Sequence, residues 1–215
     1  MSKRYISKDT NPKLIAYLKD LGYQLEFISS DNIVDPAISN HPDIFLCKMG
    51  VHDDAPIYFA QEGDLDMDYP DDVAFNAACT GRYFIHNLSA TNPKLLKAAC
   101  DMDMILIDVR QGYTKCSTVI VDETSLITYD EGIYRACCKY PELSVLLVSP
   151  GFVRLDGYDT GFIGGASGRV GDEIIFHGDL FGHPDFTRIV NFIEDRDLSC
   201  KWFADFKLTD IGSIL

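Results

Sequence analysis

Apolar residues recur at helical spacing in four places along the chain, and each time a short β-like run follows. Asn11-Pro12-Lys13-Leu14 opens a pattern that continues through Leu18 and Leu21 and ends at Gly22, after which Tyr23–Ile28 reads as a strand. Asn92-Pro93-Lys94-Leu95 repeats the device through Leu96 and Ala99, and Met104–Val109 follows. Proline at the first helical position accounts for both sharp starts, because its missing N–H is unused there. A third helix over Glu131–Cys138 leads to the strand Ser144–Val148. A fourth begins at His183-Pro184-Asp185, places Phe186, Ile189, Val190 and Ile193 on one face, and runs on to Cys200–Phe203.

Strand-like runs between the helices pair as hairpins: Ile44–Lys48 with Ile57–Gln61, Thr118–Asp122 with Leu126–Tyr129, and Gly161–Gly164 with Glu173–Phe176. The repeating order is therefore strand, strand, helix, strand. The helix starts at 12, 93, 131 and 184 are 81, 38 and 53 residues apart, so the first gap has room for a fifth, weakly marked unit. Units of this size cannot each bury an apolar face alone and must stack or close on one another. An open doubly wound sheet would need one helix per strand, and the hairpins Val119–Ile127 and Phe162–Phe176 break that alternation. The expectation is one mixed α/β domain over residues 1–215, a ring of about five small units.

Charge narrows the partners. The net charge of −14 argues against nonspecific nucleic-acid or anionic-membrane binding, which need a surplus of Lys and Arg, and it suits a small cationic ligand. The start Met1-Ser2-Lys3-Arg4 leads into a strand and helix without a signal-type apolar core, and no apolar run approaches the ~20 residues of a membrane span, so a cytoplasmic protein is expected. Seven cysteines without C-x-x-C spacing read as reduced thiols, not as a disulfide frame or zinc site. The segment Gln61–Asp72, rich in carboxylates, reads as a solvated loop, with a lid or cation-binding loop as the alternative.

Several residues carry possible chemistry. The stretch Gly161–Gly168 fits neither a dinucleotide fingerprint nor a P-loop and implies no cofactor; glycines there suit tight turns and close backbone approach. His41-Pro42-Asp43 and His183-Pro184-Asp185 place an imidazole and a carboxylate two residues apart, as a general base and its orienting partner require. The second copy also sits where a helix start calls for a cap. Lys115 beside Cys116 pairs an ammonium with a thiol whose pKa it could depress, although neighbours on a strand face opposite ways. Asp130, Asp179 and Asp210 each end or follow a strand of a different unit, positions that a ring would bring toward its axis.

Taken together, Gln111–Cys116, Ile127–Asp130, Phe162–Gly168, Gly178-Asp179-Leu180, His183-Pro184-Asp185 and Asp210–Ser213 resemble a bacterial domain family assigned to the guanidino-group-modifying-enzyme fold, the pentein α/β propeller. The likeness is good from residue 105 onward and looser before it. It implies about five strand-strand-helix-strand units around a central pore. Characterised penteins include deiminases, dimethylarginine hydrolases and amidinotransferases, which use a Cys near the C-terminus, a His, and acidic residues that bind the guanidinium. Gly182-His183-Pro184-Asp185 resembles their Gly-His-x-Asp element. This chain departs from the pattern where their Cys would stand, running Asp210-Ile211-Gly212-Ser213, and its last cysteine is Cys200. The same fold also serves a non-catalytic ribosome-associated factor.

Two classes of function follow. In the first, the chain is a hydrolase of C–N bonds in a small guanidino-, ureido- or amide-bearing cation. Cys116 is then the nucleophile and His183 the acid/base oriented by Asp185. Lys115 and Ser213 lie in the site, and Asp43, Asp130, Asp179 or Asp210 hold the cation through charge-assisted hydrogen bonds. In the second, the chain keeps the ring as a binding or scaffold protein without the chemistry. A metal-dependent hydrolase built from His41, Asp43, His52, Asp53 and His183 is a third, more distant option.

Overall fold

A computed structural model of the chain describes residues 2–29 and 33–215. Its strands form five small sheets of two or three strands each, in a mixed α/β arrangement, and not one open sheet. Three units have the full strand-strand-helix-strand order. They are β5 (Ala78–Cys79), β6 (Tyr83–His86), α3 (Pro93–Asp101) and β7 (Ile105–Asp108); β8 (Thr118–Asp122), β9 (Ser125–Thr128), α4 (Glu131–Cys137) and β10 (Ser144–Leu147); and β11 (Ser167–Val170), β12 (Glu173–Phe176), α5 (Phe186–Glu194) and β13 (Ser199–Lys201). In each, the first two strands pair antiparallel and the helix returns the chain to a parallel third strand.

The remaining two units vary this plan. β1 (Lys3–Ser7), α1 (Pro12–Asp20) and β2 (Gln24–Ile28) form a parallel pair with its crossover helix. The missing antiparallel partner comes from the far end of the sequence, where Tyr5 and Leu215 exchange both backbone hydrogen bonds, at 2.7 and 3.1 Å. β3 (Leu46–Lys48) and β4 (Ile57–Phe59) pair antiparallel with no crossover helix after them, preceded by the single turn α2 (Pro42–Phe45). The weakly marked fifth unit in the long gap is this helix-less hairpin.

Local chemistry explains the helix starts. Asn11 and Asn92 each accept a hydrogen bond from the backbone N–H two residues on, at 2.9 Å, with Pro12 and Pro93 next in line. Each helix buries one stripe: Leu14 and Leu18, Leu95 and Ala98, Ile133 and Cys137, Ile189 and Ile193. The apolar clusters join neighbouring sheets. Tyr83, Ile85 and Ile107 pack with Ile120, Leu126 and Ile133, while Val119 and Ile127 pack with Ile174, Phe176 and Ile189. Ile6, Leu14 and Leu18 pack with Val170, Ile175 and Ile214.

Three expected boundaries move. Ile44 and Phe45, expected to open a strand, close the turn α2 instead, and β3 begins at Leu46. Gly161–Gly164 is not a strand; the chain turns there, and β11 begins at Ser167. The backbone there bonds locally, Ala166 N–H to the Phe162 carbonyl (3.1 Å) and Ser167 N–H to that of Gly164 (3.2 Å), and the turn packs so closely that a Cβ on Gly164 would lie 2.3 Å from the Lys115 carbonyl oxygen. The fourth helix begins at Phe186, with His183 and Pro184 in the turn before it and Asp185 at the cap. All seven cysteines are free. Among the described residues no helix is long and apolar enough to cross a membrane.

Candidate functional site

The first strand of each sheet is preceded by a tight turn, and these turns meet. Asp43 stands just before β3, Asn76 before β5, Lys115 and Cys116 before β8, Gly164 and Gly165 before β11, and Gly212 and Ser213 before the terminal pair with β1. Hydrogen bonds run from each turn to the next. Lys115 N–H donates to the Asn76 carbonyl (2.9 Å), Gly165 N–H to that of Cys116 (2.9 Å) and Ser213 N–H to that of Gly165 (2.7 Å). Asp43 N–H donates to the Gly212 carbonyl (3.0 Å), and Asn76 Nδ2 to the Asp43 carbonyl (2.9 Å), which completes a circuit. A cavity of about 40 Å³ beside these turns is lined by residues of β3, β5, β8, β11 and Ile214-Leu215, one strand from every sheet.

Inside the circuit the side chains form one buried network. Cys116 Sγ donates to Asp43 Oδ2 (3.2 Å) and accepts from Asn76 Nδ2 (3.1 Å). Ser213 Oγ donates to the same Asp43 oxygen (2.6 Å) and accepts from Lys115 Nζ (2.8 Å), which also reaches the Gly164 carbonyl (3.3 Å). Asn76 Oδ1 takes the backbone N–H groups of Lys115 and Cys116, at 2.8 and 3.1 Å, and so fixes their turn. Asp210 accepts from the Phe162 and Gly212 N–H groups at 2.9 and 3.0 Å. Ser213 is held at φ +72°, a conformation uncommon for a residue with a side chain.

Burial sets the electrostatics. It raises the Asp43 carboxyl above its ordinary range against the pull of Lys115, and it lowers the Lys115 ammonium against the pull of Asp43. It raises Asp210 to about 6, with the Gly212 and Phe162 N–H groups acting the other way. Burial, followed by the Asp43 charge, pushes Cys116 well up, so the resting thiol is protonated. Burial also lowers His41, whose resting ring is neutral; its Nδ1 at 3.7 Å from Asp210 Oδ1 is a contact and not an ion pair.

His41 differs from the other buried histidines. His86 bonds Thr91 and the Gly112 carbonyl, His177 bonds the Asn11 N–H and the Thr209 carbonyl, and His183 bonds the Ser149 carbonyl and the Asp185 N–H. Among the described residues only His41 leaves a buried ring nitrogen, Nδ1, without a partner, and Asp43 Oδ1 is also unpartnered there. One ring nitrogen of His41, a carboxylate oxygen of Asp43 and Cys116 Sγ lie within 4.8 Å of one another. An acidic cleft of about 280 Å³, lined by Asp9, Asp156 and Asp210 with Arg154, opens onto His41.

The expected site residues therefore divide. Asp43, Lys115, Cys116, Asp210 and Ser213 come together as anticipated. The expected reach of His183 to Cys116 or Ser213 is corrected: both its ring nitrogens bond its own surroundings, and Asp185 holds the Ser149 N–H at 2.7 Å and pairs with Arg188. These two residues tie a helix start to the preceding loop. Asp130 caps α4 by accepting from Ile133 N–H (2.8 Å) and takes Gln111 Nε2 at 3.2 Å, and Asp179 accepts from Phe181 N–H (3.0 Å), neither of them within the network. Of the metal-ligand set, His52 faces Glu123 and Asp53 pairs with Arg4, away from His41 and Asp43. Asn76 went unrecognised in the sequence, and its signal is the parallel between Asn76-Ala77-Ala78, Cys116-Ser117-Thr118 and Gly165-Ala166-Ser167, a key residue before small ones at each strand start.

Residues 52–215 match the model of a family of unknown function, DUF6873, which takes in Asn76, Lys115, Cys116, Asp210 and Ser213 and leaves His41 and Asp43 outside the matched span. No curated protein and no solved structure matches the chain.

Proposed function

The chain belongs to DUF6873, a family of unknown function, and from the buried cluster we propose that it is a hydrolase of C–N bonds in a small guanidino-, ureido- or amide-bearing cation, built on a pentein-like ring. The ring reading is supported by the circuit of turns and by the cavity lined from every sheet. The observation that carries the activity is the pair of unpartnered buried acceptors, Asp43 Oδ1 and His41 Nδ1, set beside a thiol, with His41 lining an acidic cleft. Unsatisfied buried acceptors cost about 1–3 kcal/mol each, and the N–H groups of a bound cation satisfy them.

The chemistry uses His41 in the place first expected for His183. Cys116 transfers its proton to the Asp43 carboxylate, and the thiolate attacks the substrate's central carbon. Asp43 and His41 return a proton to the departing amine as the C–N bond breaks, and water then cleaves the thioester-like intermediate to regenerate the thiol. Lys115 offsets the extra negative charge, and Asp210 adds to the field that draws the cation in.

A second reading, a ring that binds a cation without turning it over, is favoured by one observation: Cys116 is only 2% exposed and its resting thiol is protonated. Amine or ammonia release from alkylguanidines and alkylureas, with calorimetric binding in parallel, separates the two. The hydrolase reading expects release that is lost in Cys116→Ser and His41→Gln and retained in His183→Ala. Binding of these compounds without release by the wild type supports the second reading, and neither binding nor release overturns both.

A further inference from the structure

The cavity of about 40 Å³ lies on the strand side of the circuit, apart from the acidic cleft at His41. Three lining side chains are cationic, Lys48, Lys115 and Arg169; none of the lining side chains is acidic, and the rest of the wall is largely apolar, including Val51, Ile120 and Ile214. In a chain of net charge −14 this local excess of cations needs a reason. Lys115 is balanced by Asp43 within the network. Arg169 donates to the Val121 and Gly171 carbonyls, and the carboxylate nearest in its ion-pair contacts, Asp172, stands 3.9 Å away and is 93% exposed. Lys48 has no salt-bridge partner among the described residues; Asp53, whose charge reaches it, is already paired with Arg4. Burial and the nearby Arg4 lower Lys48 to about 8, with Arg169 acting in the same direction.

We propose that this cavity binds a small oxyanion, the carboxylate or phosphate end of a ligand, between Lys48 and Arg169. At about 10–15 Å³ for each water-sized site, the volume holds about three such sites, enough for one such group and too small for a nucleotide. The apolar wall lowers the local dielectric and strengthens the charge-assisted bonds that a buried anion makes.

Calorimetric titration and melting shifts with inorganic phosphate and, separately, acetate at constant ionic strength test this. The wild type binds one of them in a 1:1 complex, phosphate identifying a phosphoryl ligand and acetate a carboxylate. Lys48→Met weakens binding by about tenfold or more, the loss of one charge-assisted bond. Because the Lys48 ammonium makes no hydrogen bond among the described residues, that variant keeps the wild-type melting temperature, and Lys48→Arg keeps the binding. Cys116→Ser also binds the anion normally, so the outcome is independent of the hydrolase reading. Failure of both anions to bind the wild type, or equal binding by Lys48→Met, overturns the proposal.

Discussion

Substituting Gly212→Ala tests whether the circuit of turns holds the site together. Gly212 has φ +72°, which an alanine adopts at a cost of about 1 kcal/mol. The larger effect is contact: the added Cβ would lie 2.1 Å from His41 Cβ and 2.2 Å from His41 Cα. Ordinary carbon contacts begin near ~3.5 Å, so the two backbones must part by more than about 1 Å. No side-chain rotation relieves this, because one of the two atoms is backbone. The separation breaks the 3.0 Å bond from Asp43 N–H to the Gly212 carbonyl and draws Ser213 Oγ away from Asp43 Oδ2, now at 2.6 Å. A buried hydrogen bond contributes about 1 kcal/mol and one to a charged group about 1.5–3 kcal/mol, so the expected destabilisation is about 3–5 kcal/mol. Gly63→Ala is the control, since Gly63 has φ +83° and open space around its Cβ position, and it loses only the conformational part, about 1 kcal/mol. Guanidinium melts followed by far-UV circular dichroism and by Trp202 fluorescence give both values. A Gly212→Ala variant as stable as Gly63→Ala would refute the argument.

Asp210 makes stability depend on pH in the less usual direction. Its native pKa is raised from the ordinary 3.8 to about 6, so the folded chain holds that proton more tightly; its stabilising contribution is complete below 3.8 and is lost as pH rises through about 6. Between pH 4 and 7 the wild type loses about 2 kcal/mol relative to Asp210→Asn, at about 1.36 kcal/mol for each tenfold difference in proton affinity, and parallel stability profiles of the two proteins would count against this. Thiol reagents applied to the native protein modify the exposed Cys100 and Cys138 first, and all seven cysteines react after unfolding without reductant. Early modification of Cys116 would show that the cluster opens in solution.

The repeating order of elements was legible in the sequence because it rests on local rules. Asn-Pro starts fix α1 and α3 through a cap and a pre-set φ, and short continuous apolar runs mark β8, β9 and β12, which are buried along nearly their whole length. Five of the nine expected site residues also converged, Asp43, Lys115, Cys116, Asp210 and Ser213, because equivalent turns of repeated units do meet. The two-residue strand β5 stayed hidden, since so short a run carries no period. So did the strand formed by Leu215 with Tyr5, whose partners are at opposite ends of the sequence. The role of each histidine was decided only by tertiary structure. His41 and His183 occur in the same triplet, and nothing local distinguishes them. The fold surrounds His183 with a carbonyl and an N–H that satisfy both nitrogens, and it sets His41 against Gly212 with Nδ1 left free beside Asp43. His183 Nδ1 takes the N–H of its own Asp185, whereas the Asp43 N–H goes to the distant Gly212 carbonyl and leaves His41 Nδ1 free, a difference that only the folded chain makes.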